Sequence, residues 1–399
     1  MKQDAMGKAS HPPSYILPLI VLSQFAGTSL WFAGNAILAD LPALATRPEA
    51  VGHMTAAVHI GFIAGTLLFA LLTIADRFYA PRVFFFSCVL GATANAATLF
   101  TADSYSLLLL GRFLTGFLLA GIYPVGMKIA ADWFDKGLGK ALGLLVGALV
   151  FGTAFPHLLK GVSWKLSWQA VIIATSAFAV VGGLLILLFV HEGPFKKKAS
   201  GFHPAILGQV FRSPDFRAAS FGYFGHMWEL YTLWAFVPLM LKANSTAHGT
   251  TLNLSLWSFY IIAAGGCSCM LGGLLSQKIG SARVAITALL TSAVCASTSY
   301  FFIHLPPVIF LPFMLIWGLA VTADSPQFST LTALTAPPAY KGTAVTAVIS
   351  LGFMVSIISI QAMNYLLELA PHAITYLALA PGPILGLLAC RRLLNKPMV

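Results

Sequence analysis

Leu72-Thr-Ile-Ala-Asp76-Arg77-Phe-Tyr79-Ala-Pro-Arg82 is a short charged turn between two long apolar runs. It returns 201 positions later, from 72 to 273, as Gly273-Leu-Leu-Ser-Gln277-Lys278-Ile-Gly280-Ser-Ala-Arg283. A second pair of anchors agrees, because Gly116 and Pro124 match Gly318 and Pro326, each displaced by 202 positions. The chain reads as a tandem duplication, a feature that membrane transporters often carry.

Working outward from the two turns, 58% of the 399 residues are hydrophobic and only 9% are charged, whereas soluble domains carry about 25% charged residues. No ordinary water-facing surface can be made from that composition. A bilayer core about 30 Å thick needs roughly 20 apolar residues per helix, and backbone groups in lipid must be satisfied within their own segment, so the spans are helices. The runs predict spans near 15–39, 52–75, 82–101, 107–131, 138–159 and 167–190, then 218–241, 252–275, 284–303, 307–334, 342–366 and 373–390. The expected fold is an all-α membrane protein of twelve transmembrane helices. Residues 1–190 form an N-terminal six-helix bundle, 191–217 a linker with a short surface helix near 204–211, and 218–399 a C-terminal bundle.

The net charge of +11 raises the question of nucleic acid, but the basic residues fall on alternate loops rather than in one patch. The positive-inside rule places 18 of the 23 Lys and Arg on the side of the N-terminus, leaves Arg47, Lys160, Lys165 and Lys242 on the other, and keeps Arg112 inside a span. Both termini are therefore expected in the cytoplasm and the chain in the cytoplasmic (inner) membrane. Ala43-Leu44-Ala45 looks like a signal-peptidase site only superficially, because the apolar run before it is too long and holds Gln24 and Asn35. The five cysteines sit within or at the ends of predicted helices, so no disulfide framework, metal or cofactor is expected. The partners expected are a small-molecule solute, protons and lipid, with no nucleic acid and a monomeric state.

The two turns resemble the loop motif of the major facilitator superfamily, approximately G-x-L-A-D-R-x-G-x-[RK]-[RK] in each half. Arg112-Phe-Leu-Thr-Gly116 with Gly121-Ile-Tyr-Pro124 is similar to that family's fourth-span motif. Leu72 and Tyr79 stand where glycines are expected and Gln277 where an aspartate is. The resemblance implies two bundles that rock about a central pathway lined by spans one, four, seven and ten. It also implies a conformational latch of Asp76, Arg77, Arg82, Lys278 and Arg283, with Asp76 facing the start of span eleven near Lys341 and Gly342. Free N–H groups there favour an anion by about 0.3–1 kcal/mol. The alternative is that these charges are solvated topology signals.

Charges inside spans are costly enough to face a cavity or a partner. Arg112, Glu229 and Asp324 qualify, with His53, His59 and His226. At 1.5 Å rise per residue Glu229 lies near the midplane, with His226 on the same helical face. Burial disfavours a charged carboxyl and a neighbouring cation favours it, so Glu229, His226 and Asp324 are the expected proton-coupling residues. The alternatives are structural: an ion pair of Glu229 with Arg112 or its hydrogen bond to a neighbouring helix, and pairing of Asp324 with Lys128 or capping of local structure before Pro326. Gln24, Thr28, Trp31 and Asn35 would align as one stripe on a helix. With Arg112, Tyr123 and Trp317 they are the expected solute-binding groups, and helix-to-helix hydrogen bonding is the competing role.

The sequence shows no HExxH, nucleophile elbow or phosphate-binding loop, so an enzyme is not expected. The expected function is secondary active transport of a small organic solute by alternating access, coupled to protons. A proton gradient supplies about 2.3 kcal/mol per charge per 100 mV and about 1.4 kcal/mol per pH unit. An uncoupled facilitator is the alternative, with a membrane-embedded receptor or enzyme more distant.

Overall fold

The computed structural model describes residues 12–44, 46–135, 138–162, 166–196, 203–370 and 373–395. The loop lysines 136 and 165, the linker residues 197–202 and the basic residues of the chain ends before 12 and after 395 lie outside the described residues. Among the described residues all regular structure is helical, and it groups into the twelve spans expected. Ten are long and apolar enough to cross a membrane: Ala50–Leu71, Ala80–Thr101, Tyr105–Trp133, Gly139–Val162, Trp168–Phe189, Leu254–Ile279, Ser281–Ile303, Pro307–Thr335, Lys341–Leu369 and Ala373–Leu394. The others are span one, whose first helix is only Ile16–Thr28, and span seven, Pro214–Ala247, whose apolar character is diluted by Tyr223, His226, Glu229 and Tyr231.

Span seven starts at Pro214, ahead of the expected 218. The Ser213 hydroxyl accepts from the Phe216 N–H at 3.4 Å, and proline needs no donor at the first helical position. The linker contains a 3-10 turn Pro204–Ile206 and a short helix Leu207–Val210, within the segment expected to form a surface helix. Its start is tied to span four: Trp133 Nε1 donates to the His191 carbonyl at 2.8 Å and the Phe195 N–H to the Asp132 carbonyl at 2.9 Å. Below, the face carrying the linker and the chain ends is the terminal face, and the other is the opposite face.

The duplication is visible in the packing. A Cβ at Gly116 would lie 2.0 Å from the Val58 carbonyl oxygen, and one at Gly318 would lie 2.1 Å from that of Ile261. Span four thus presses on span two as span ten presses on span eight, backbone against backbone. The two halves meet along two further pairs, span five with span eight and span two with span eleven. At the first pair a Cβ on Gly143 would sit 3.9 Å from the Gly273 Cα, so small residues set the approach.

Gly116→Leu and Gly318→Leu should each destabilise the protein by about 1–3 kcal/mol or more through overpacking against backbone, read as a lower thermal midpoint in detergent. Gly139→Ala, whose Cβ meets nothing within 4 Å, should leave the midpoint unchanged or slightly higher.

Candidate functional site

Spans one, four and ten are interrupted part-way along, and these interruptions build the site. Pro124 and Pro326 cannot donate to the carbonyls four residues back. Span four accordingly breaks between Leu119 and Tyr123, and span ten between Ala323 and Ser325. The carbonyl of Thr322 that Pro326 leaves free accepts from the Cys269 thiol at 3.2 Å. Span one breaks without a proline. Thr28 Oγ1 bonds back to the Gln24 carbonyl at 2.8 Å and Ser29 Oγ to that of Ala26 at 2.7 Å, a competition with the helical ladder that hydroxyl side chains offer. The helix resumes only at Ala33–Ala36. Gln24, Thr28, Trp31 and Asn35 therefore do not share one continuous helical face.

Arg112 closes that break. Its Nη2 donates to the carbonyls of Leu30, at 3.0 Å, and of Trp31, and its Nη1 to Asn95 Oδ1 at 3.2 Å. The side chain is buried and is directed at backbone and Asn95, not at Glu229. Asn95 is itself held by Thr175 and Ser176 at 3.2 and 3.0 Å. Asn35 donates to Thr55 at 2.7 Å.

The break also turns Trp31 toward the second half. Its ring stacks on Tyr231 and on Phe353, each at 5.8 Å between centroids. His59 packs edge-on to Tyr231 at 4.5 Å and faces Ser356 Oγ at 3.1 Å across the two halves. Toward the opposite face, further bonds cross between the halves. Asn364 donates to the Glu49 carbonyl at 2.8 Å, Gln361 to that of Gly52 at 3.2 Å, and Asn253 to that of Gly161 at 2.8 Å. Neutral polar groups stood out in the sequence only in span one, and these were passed over. The spacing of Gln361 and Asn364, three apart on span eleven, is the signal that could have found them.

Below the aromatic cluster lies a cavity of about 40 Å³ lined by Tyr123, Tyr223, Tyr231, Trp234, Phe353 and Ser325 among others. Pockets for organic ligands run to about 300–1,000 Å³, so this cavity is too small for such a ligand as it stands. Trp31 Nε1 and both amide atoms of Gln24 are buried with no hydrogen-bond partner among the described residues. Toward the terminal face a second cavity, about 190 Å³, opens between Thr73 and Asp76 of the first half and Gly342 and Thr343 of span eleven. Asp76 borders the start of span eleven across that space, and its carboxylate meets Lys128 at 3.3 Å, which also holds Asp132 at 2.9 Å. Arg77 and Arg82 are exposed, Arg82 lying over the Tyr79 ring at 5.7 Å. Lys278 and Arg283 are exposed with no ion-pair partner among the described residues.

The two carboxylates set within the spans, Glu229 and Asp324, both belong to the second half. Glu229 Oε2 accepts from Ser292 Oγ at 2.7 Å and Oε1 from Trp317 Nε1 at 2.5 Å. Tyr223, Met227, Leu230, Tyr231 and Trp234 form the cavity face of span seven. At 100° per residue Glu229 points roughly 140° away from that face, into the second bundle. His226 Nδ1 lies 2.8 Å from Asp324 Oδ1, and both side chains are buried. Asp324 occupies the break of span ten, between Thr322 and Ser325, both of which line the cavity. Lys128 is thus with Asp76 and Asp132, and Asp324 with His226.

Residues 73–360 match the family profile described as Major Facilitator Superfamily. Multidrug resistance protein MdtL of Salmonella schwarzengrund is 31% identical over 179 residues, which cover 43% of this chain and 43% of that protein. Nitrate/nitrite transporter NrtP of Picosynechococcus is 27% identical over 146 residues, 29% of this chain and 27% of that protein. The matched stretches therefore span less than half the length of these curated relatives. Among solved structures, a bacterial homolog of the human lysosomal transporter Spinster, inward-facing and unoccupied, superposes with TM-score 0.64 at 16% identity, covering 95% of this chain and 94% of that one. A variant of the E. coli fucose:proton symporter FucP gives TM-score 0.65 at 15% identity, covering 96% and 100%. At such identities the likeness is one of fold.

Arg112→Gln should leave at least one of the Leu30 and Trp31 carbonyls without a donor, at about 1–3 kcal/mol per orphaned group. The expected readout is a lower thermal midpoint in detergent together with faster proteolysis near residue 30. A midpoint equal to wild type would show that these bonds do not hold the break.

Proposed function

We propose that this chain, which belongs to the Major Facilitator Superfamily, is a proton-coupled secondary active transporter that moves a small organic solute by alternating access. Membrane transport by a multi-pass helical protein is what the family establishes. The observation that carries the finer reading is the buried His226 and Asp324 pair at 2.8 Å, set in the break of span ten beside the central cavity. A titratable pair at that place is reached from the pathway when the bundles part, and its partner is another titratable group rather than a fixed cation. Glu229, one helical turn along span seven and held only by neutral donors, is the second proton-bearing group. Solute contacts fall to Gln24, Trp31 and Tyr123 on the first half, with Thr28 shaping span one beside them, and to the aromatic side chains of the second. Trp317 orients Glu229, while Arg112 and Asn35 fix the broken span one that presents Trp31.

Tyr, Trp and Phe rings around the cavity, with Thr322, Ser325 and Ser329 as the polar minority, support an organic solute with aromatic or apolar surface. Cations are included, since ring faces attract them. The multidrug relative points the same way. The latch of Asp76, Arg77, Arg82, Lys278 and Arg283 acts at the terminal face, which we place in the cytoplasm from the distribution of basic residues, with the chain in the inner membrane. The protein works as a monomer in this reading. Uncoupled facilitation is the second reading, and the orientation of Glu229 away from the cavity favours it.

Proteoliposomes with an imposed pH gradient separate the two, using ethidium, fucose and nitrate as chemically distinct probes. Gradient-driven ethidium movement is expected in the wild type, reduced about tenfold or more in Asp324→Asn and Glu229→Gln, as for loss of a proton-transfer group, with probe exchange retained. No gradient-driven movement in the wild type, with probe exchange present, would assign the protein to facilitation, and gradient-driven movement at the wild-type level in both variants would remove Asp324 and Glu229 as the proton-bearing groups.

A further inference from the structure

The second half carries a groove that the transport pathway does not use. It has a volume of about 650 Å³ and runs between spans eight, nine and ten on the outside of the bundle. Small residues create it: Gly272, Ala288 and Ala320 form the floor, and Leu271, Leu275 and Leu319 the walls. The walls face outward, with Leu271 64% exposed and Leu275 48%. Two polar side chains along it are already satisfied, Thr291 by the Thr287 carbonyl at 2.9 Å and Ser268 by that of Gly265 at 2.9 Å. From Ser268 down to Lys278 the groove extends about 15 Å along span eight, about half the hydrocarbon thickness.

Its mouth is at the terminal face and is basic. Lys278 lines it and Arg283 follows across the tight turn at Gly280, where φ is 88°. Neither has an ion-pair partner among the described residues. The equivalent turn in the first half keeps its acid, Asp76, beside Lys128, whereas Gln277 stands there in the second. The duplicated turn has thus lost its carboxylate only where an apolar groove ends.

We infer that this groove is a phospholipid site: an acyl chain lies between spans eight, nine and ten, and Lys278 and Arg283 hold an anionic headgroup at the terminal face. Charge complementarity selects this occupant, because basic pockets between helices at headgroup depth bind anionic lipids. An uncharged amphiphile would leave both cations without a counterion. The lipid also touches the mechanism, since Ala320 and Ala323, which line the groove, belong to the segment that ends at Asp324.

The test is native mass spectrometry of the purified full chain, titrated in detergent with phosphatidylglycerol or with phosphatidylcholine of the same acyl chains. Phosphatidylglycerol should bind roughly fivefold tighter or more. Lys278→Gln with Arg283→Gln should bring the two lipids level, and Ala288→Phe should weaken both. A diazirine-bearing phosphatidylglycerol should label peptides within 268–291. Equal binding of the two lipids by wild type, a preference unchanged in the double variant, or dimers abolished by Ala288→Phe in place of bound lipid would overturn the inference.

Discussion

A carbonyl freed from its helix inside a bilayer must find a donor, because no water is there to provide one. Arg112 meets that demand at Leu30 and Trp31, and much of the site depends on it. With those carbonyls held, span one can stop at Thr28, turn, and present Trp31 to Tyr231 and Phe353 of the other half. A continuous helix would have no such turn. The same constraint acts at the prolines of spans four and ten, where the Cys269 thiol rather than an arginine serves the freed carbonyl of Thr322. Interrupted helices are tolerated where protein surrounds them, and they shape the walls of the central cavity.

The halves share an architecture but divide the chemistry. The first provides the broken span one with its arginine, and the acid of the terminal-face turn. The second holds Glu229 and the His226–Asp324 pair. Between them, the crossing hydrogen bonds lie toward the opposite face, at Glu49, Gly52, His59 and Gly161, while the terminal face has a cavity at Asp76 and Gly342. Single neutral bonds to backbone carbonyls contribute about 0.5–1.5 kcal/mol each. A set of this kind ties the halves together toward that face at a modest total energy.

Hydropathy and the repeated turn made the twelve helices legible, since membrane thickness and backbone satisfaction leave few other solutions. Gly116 and Gly318, found as repeat anchors, are points of backbone contact. The direction of side chains was less legible. Glu229 and His226 share a helical side, but span seven is surrounded by protein at that height, so depth alone did not reveal that Glu229 faces Ser292 and Trp317. The stripe from Gln24 to Asn35 assumed an unbroken helix, and no proline warned of the break that Thr28 and Ser29 bring about. Hydropathy also ranks Ser356, Gln361 and Asn364 as minor blemishes in an apolar run, although they join the halves.

The central claim is that the two bundles rock about one pathway, closed here at the opposite face. Spin labels at Asp103→Cys and His304→Cys report that face, and labels at Asp135→Cys and Tyr340→Cys the terminal face, all four positions being exposed. Exposed Cys267 is first replaced by serine. Removing the crossing bonds with Gln361→Ala and Asn364→Ala should lengthen the first distance and shorten the second in double electron–electron resonance. Distances that stay fixed, or that lengthen together, would contradict the account.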